Sequence, residues 1–106
     1  MKQEQRQAIA TLGGFNLITN YPPHIWSNGI VKTNSISFDK PKMYGLLMDI
    51  VEKVEREQDL IVEIKRSECV IKKMHLTRNE TIISVDGEGH KQRAVFNALA
   101  ILGGHQ

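Results

Sequence analysis

Residues 39–58 read DKPKMYGLLMDIVEKVEREQ, and the spacing of their apolar side chains decides the fold. Met43, Leu46, Leu47, Ile50, Val51 and Val54 recur at the intervals of one helical face, while Asp49, Glu52, Lys53 and Arg56 take up the remaining circumference. Tyr44 and Met48 widen the stripe on one side. Asp39 has the chemistry of an N-cap, and Pro41 suits a first turn, where an amide hydrogen has no helical partner. The stretch therefore predicts a helix over Pro41–Gln58 that buries one side.

Downstream the period changes. Leu60–Lys65, Cys69–Leu76 and Thr81–Val85 are short β-prone runs separated by Arg66-Ser67-Glu68 and Thr77-Arg78-Asn79-Glu80, which predicts an antiparallel three-stranded meander. Leu60, Val62 and Ile64 form one face. Ile61 and Ile71 fall among Glu63 and Lys73 on the other, so the pattern predicts cover on both faces. Asp86-Gly87-Glu88-Gly89 then turns into a final helix, His90–Leu102, closed by Gly103-Gly104. Ala94, Val95, Ala98, Leu99, Ile101 and Leu102 make its core face. Phe96 and Ala100 fall outside that face, and either the N-terminal segment or a second copy of the chain has to cover them.

Upstream, Ala8, Ile9 and Leu12 end at Gly13-Gly14, the pattern of a short closed helix. Tyr21-Pro22-Pro23-His24-Ile25-Trp26 is irregular because prolines break helices, and Asn28-Gly29 is a tight-turn pair before one further strand, Ile30 to Phe38. The whole reads as an α+β chain of one domain, 1–106: an N-terminal cover segment, 1–38, and an αβββα core, 39–106.

Composition agrees. The 106 residues are 41% apolar and 25% charged, with a net charge of +2, which supports one core and leaves no global nucleic-acid footprint. The polar start, Met1 to Gln7, lacks the apolar stretch of a signal peptide, and no run is long enough for a membrane helix. Cys69 is alone, so no internal disulfide or Cys-x-x-Cys site exists and a reducing cytoplasm is expected.

Two family resemblances follow from these patterns. Tyr44-Gly45-Leu46-Leu47-Met48-Asp49-Ile50-Val51-Glu52-Lys53-Val54 together with Arg93-Ala94-Val95-Phe96-Asn97-Ala98-Leu99-Ala100-Ile101-Leu102 resembles the small phage αβα-sandwich family. That resemblance covers Asp39 to Leu102. It implies a phage or prophage accessory protein in a bacterial cytoplasm that binds a host-defence factor or its small nucleotide signal. Gly87-Glu88-Gly89-His90-Lys91-Gln92-Arg93-Ala94 is similar in outline to the last helix of a double-stranded-RNA-binding domain, which implies RNA as a partner. Gln92 and Val95 depart from the basic residues that family places there.

Candidate sites divide by chemistry. Tyr21, His24 and Trp26 surround two prolines in the segment least explained by packing, and amphipathic aromatics make good anchors. Lys65, Arg66, Lys73 and Arg78, with Lys91, offer a basic surface for RNA or an acidic partner, interleaved with Glu63, Glu68 and Glu80. Asp86, Glu88 and His90 are the densest acid–base cluster, and the site of an enzyme if there is one. A turn and helix cap is the preferred reading of them, because acids already complement a helix start and would repel a phosphate. His24, His75, His90 and His105 have no metal-ligand spacing, and neither a metal nor a cofactor is expected. The expected behaviour is that of a non-enzymatic binding protein, most simply a homodimer.

Overall fold

The computed structural model describes residues 2–104. The Asp39–Gln58 stretch contains two elements, a 3-10 turn over Pro41–Met43 and helix α2, Tyr44–Gln58; helix α1, Lys2–Leu12, precedes them. Leu47, Ile50, Val51 and Val54 are buried as their spacing requires, with Tyr44, Leu46 and Met48 half-buried at the rim. Asp59 ends α2 in the left-handed region at φ 53°, a conformation Asp tolerates better than most residues.

Asp39 does not cap this helix. Lys40 is the residue before the 3-10 turn, with no side-chain cap. The Asp39 carboxylate instead accepts two hydrogen bonds from Arg6 of α1, at 2.8 and 3.1 Å, and lies 3.6 Å from the Lys2 ammonium. Long-range ion pairing has taken the side chain away from a local role. The Arg6 hydrogen bonds hold the Asp39 carboxyl below the ordinary carboxylate range. Because the folded-state value is depressed, the stabilisation is complete above the unfolded value of about 3.9 and is lost as pH falls through the folded one. We expect Asp39→Asn to lower stability by about 1–2 kcal/mol at neutral pH. Urea unfolding of both proteins from pH 7 downward should show that gap closing on the acid side.

The main sheet follows the sequence expectation: β4, Leu60–Lys65; β5, Glu68–Met74; and β6, Asn79–Asp86, in antiparallel order β4-β5-β6. Direct cross-strand partners share a face. Val62 opposite Ile71, Ile64 opposite Cys69, and Cys69 opposite Val85 therefore belong to one side, with Ile83 opposite Ile71. This side is the buried one and carries α2 and helix α3, Lys91–Gly104. The other side presents Ile61, Glu63, Val70, Lys72 and Ser84. No described element covers it, which corrects the expectation of cover on both faces. Its hydrophobics are shielded in part by a Glu63–Lys72 ion pair of 2.6 Å between strands, whose aliphatic stems lie beside Ile61 and Val70. Glu55 of α2 accepts the outward N–H of Val62 at 3.1 Å and so closes part of the β4 edge.

Helix α3 includes Gly103 and Gly104 and so extends two residues beyond the expected end at Leu102. Gly103 has a packing role: a Cβ there would lie 2.7 Å from the Ala8 carbonyl oxygen, so its lack of a side chain lets α1 and α3 approach closely. As a result Phe96 and Ala100 are only 3% and 7% exposed within the single chain, while Ile101, expected in the core, is 43% exposed. Of the two covers that the sequence left open for these residues, the N-terminal segment supplies it, since α1 packs along α3.

The expected strand Ile30–Phe38 shrinks to β3, Lys32–Thr33. The Thr33 hydroxyl accepts the Ser35 N–H and donates to its carbonyl, and the Ser35 hydroxyl accepts the Ser37 N–H, which turns the chain out of the extended path. Ile36 and Phe38 then enter the core. Two further strands, β1, Asn16–Leu17, and β2, Trp26–Ser27, pair with β3 in the order β1-β2-β3. No helix among the described residues is long and apolar enough to cross a membrane.

Candidate binding site

The segment between α1 and the 3-10 turn is irregular in sequence yet closely held. Gly14, at φ 76°, reverses the chain after α1, and Phe15 packs against Phe38 with ring centres 6.4 Å apart. Asn28 organises the next turn: its side-chain oxygen accepts the N–H groups of Ile30 and Val31 at 2.9 and 2.8 Å, and its amide donates to the Gly13 carbonyl. Gly29 supplies the positive φ of 88° that this turn requires. Thr19 ties the proline loop by accepting the Ile25 N–H and donating to Pro23, both at 3.0 Å. Trp26 lies opposite Leu17 and Thr33 in the small sheet, half-buried against the core.

Between this sheet and α1 is a hollow of about 360 Å³. Gln3 and Gln7 border it from one helical face of α1; Leu17, His24, Trp26 and Asn34 border it from the other side. No Asp, Glu, Lys or Arg lines it. The carboxamides of Gln3, Gln7 and Asn34 make no hydrogen bond to other described residues, so their donors and acceptors are available. Asn34 also borders a shallower hollow of about 420 Å³ with Ile25, Lys32 and Thr33. Of the three aromatics expected to act together, Trp26 and His24 meet here. Tyr21 does not line the hollow and stands 72% exposed.

The basic residues are not brought together. Lys65 and Arg66 sit at the β4–β5 turn, and the Gly87 N–H bonds to the Ser67 carbonyl at 2.6 Å, which brings that turn beside the start of α3 and Lys91. Lys73 and Arg78 lie toward the other end of β5, roughly 17–20 Å away at about 3.3 Å per residue. Lys72 is occupied by Glu63, and its hydrogen bond holds the Glu63 carboxyl below the usual range. The single basic surface expected from the sequence is thus divided by strand direction.

Asp86, Glu88 and His90 serve the turn. Asp86 accepts the Glu88 N–H at 2.9 Å, the His90 N–H reaches the Gly87 carbonyl at 3.1 Å, and Glu88 faces Arg93 at 3.7 Å. His75 pairs with Glu80 at 2.9 Å. His105 lies outside the described residues; among those described, no three His, Cys, Asp or Glu side chains converge to hold a metal. Cys69 is fully buried, and burial pushes its thiol up to about 11, so little of it is thiolate at neutral pH.

Sequence reasoning missed Gln3, Gln7 and Asn34. The signal present was the four-residue spacing of Gln3 and Gln7, which sets them on one face of α1. Asn34 had none. Compared with known proteins, the chain matches no family model, no curated protein and no solved structure.

Proposed function

We propose that this protein acts by binding and not by catalysis, and that the hollow lined by Trp26, His24 and the three available carboxamides is where it does so. That convergence carries the reading. A site of a few hundred Å³ that joins flat apolar surface to a few orienting polar groups has the make-up of a small-ligand pocket. The role of a phage or prophage accessory protein, directed at a host-defence factor or its small nucleotide signal, rests on the sequence resemblance alone. A homodimer belongs to the same proposal, on narrower grounds than the sequence offered: the uncovered sheet face is the surface left to a second copy. Sedimentation at micromolar concentration separates a 12 kDa chain from its dimer.

Native mass spectrometry of the protein purified from cells tests the binding reading by weighing any retained small molecule, and Trp26→Ala should lose it. Asp86→Asn and His90→Ala should change biological activity no more than a few-fold. A loss of about a thousandfold at either position, with the fold intact, would instead make the α3 turn a catalytic site.

A second reading has one observation in its favour. Both α2 and α3 lie on one face of the meander, and Lys65, Arg66 and Lys91 share one end of it. Binding of an RNA duplex at that end would weaken steeply with salt, as the release of counterions from each contacted phosphate requires. Affinity indifferent to salt excludes it.

A further inference from the structure

We propose that the hollow between α1 and the small sheet takes a nucleobase, stacked on Trp26 and read along its edge by Gln3, Gln7 and Asn34. This rests on the binding reading above and specifies the ligand class. Charge is the first argument. With no Asp, Glu, Lys or Arg at the lining, a phosphate or carboxylate placed there would find no fixed counter-charge, and an ammonium no carboxylate, so the part of the ligand that sits in this open hollow is neutral. Shape and hydrogen bonding come next. Trp26 and His24 are flat rings, and a carboxamide presents a donor and an acceptor side by side in one plane. The edge of a purine or pyrimidine displays the complementary pair, the basis of the two-point contact of Asn or Gln with adenine.

The adjoining hollow supplies what a base alone would lack. Asn34 borders both spaces, and Lys32, on the far side of it, has no ion-pair partner among the described residues. Lys32 is the cation available to a phosphate attached to the bound base. A free nucleotide and a base within a single strand share this chemistry, and both belong to the test.

Trp26 is the only tryptophan, so its fluorescence reports the site directly. The full chain is titrated with the four ribonucleoside monophosphates, with a short single-stranded oligonucleotide and with maltose as a neutral saccharide. Saturable quenching by a nucleotide or by the oligonucleotide is expected, and whichever binds tighter identifies the source. Gln7→Leu and Asn34→Ala replace exposed residues, leave the Trp26 fluorophore in place, and should each weaken binding about tenfold, or about 1.4 kcal/mol. Lys32→Gln should weaken nucleotides and leave the corresponding nucleosides unchanged. Equal quenching in the parent and both carboxamide variants would overturn the edge readout. Saturable quenching by maltose alone would overturn the nucleobase while leaving the hollow as a binding site. With no response to any probe, the nucleobase assignment falls; the binding reading falls as well only if native mass spectrometry also finds no retained ligand.

Discussion

Ile50→Asp unfolds the protein. Ile50 is 2% exposed on the inner face of α2, and its Cγ1 lies where a Cβ on Gly13 would come within 3.0 Å, with the Phe15 ring at the same distance. The residue therefore joins α2 to the turn that follows α1, and the ammonium of the nearby Lys53 is already paired with Glu57 at 2.7 Å. An unpaired buried carboxylate costs several kcal/mol, against a total stability of roughly 5–15 kcal/mol for a domain. Asp49→Ala, one position along and exposed, should shift stability by no more than about 0.5 kcal/mol. Thermal melts followed by circular dichroism check both. A cooperative Ile50→Asp melt near the parent's would mean that the inner face of α2 is elsewhere.

The second large effect is expected at Gly87, for a reason that is steric. A Cβ at this position would collide with the His90 carbonyl oxygen and would lie 2.7 Å from the Ala94 nitrogen and 2.9 Å from its Cβ. Two of these are backbone atoms at the start of α3, one just before it and one in its first turn, which cannot swing aside as a side-chain end can. Gly87→Val should lift that turn off the sheet and strain the bond between the Gly87 N–H and Ser67, at a cost of about 3 kcal/mol or more. Gly89 two residues later is a useful contrast. Its φ is 87° and nothing lies within 4 Å of an added Cβ, so Gly89→Ala bears only the conformational penalty, about 1–2 kcal/mol. Urea midpoints of the two variants should differ clearly. Equal losses would show that the turn does not approach α3 as closely as described.

The candidate site was half legible. Prolines beside Trp26 and His24 marked a segment that local packing did not explain, and this segment does border the hollow. Tyr21 carried the same signal and lies outside it. The polar half of the site was invisible because Gln3, Gln7 and Asn34 are ordinary surface residues until α1 and the small sheet are set side by side. The basic residues failed in the opposite direction: near in sequence around two turns of one meander, they are sent to opposite ends by the antiparallel path.

What the sequence determined by itself were the properties that repeat locally. The period of residues 43–54 made α2, the alternation of 60–64 set Leu60, Val62 and Ile64 on the side of β4 that meets the core, and Asn28-Gly29 made a turn. Each depends on atoms within a turn or two of the chain, so composition and spacing suffice. Tertiary structure decided which surface covers which. Asp39 left its expected cap for Arg6, Gly103 became the contact that seats α1 on α3, and Phe96 and Ala100 were buried by the chain's own N-terminal helix. Those outcomes are choices among partners far apart in sequence. They are settled by the free energy of burying whole faces together, a sum over both surfaces that neither segment carries alone.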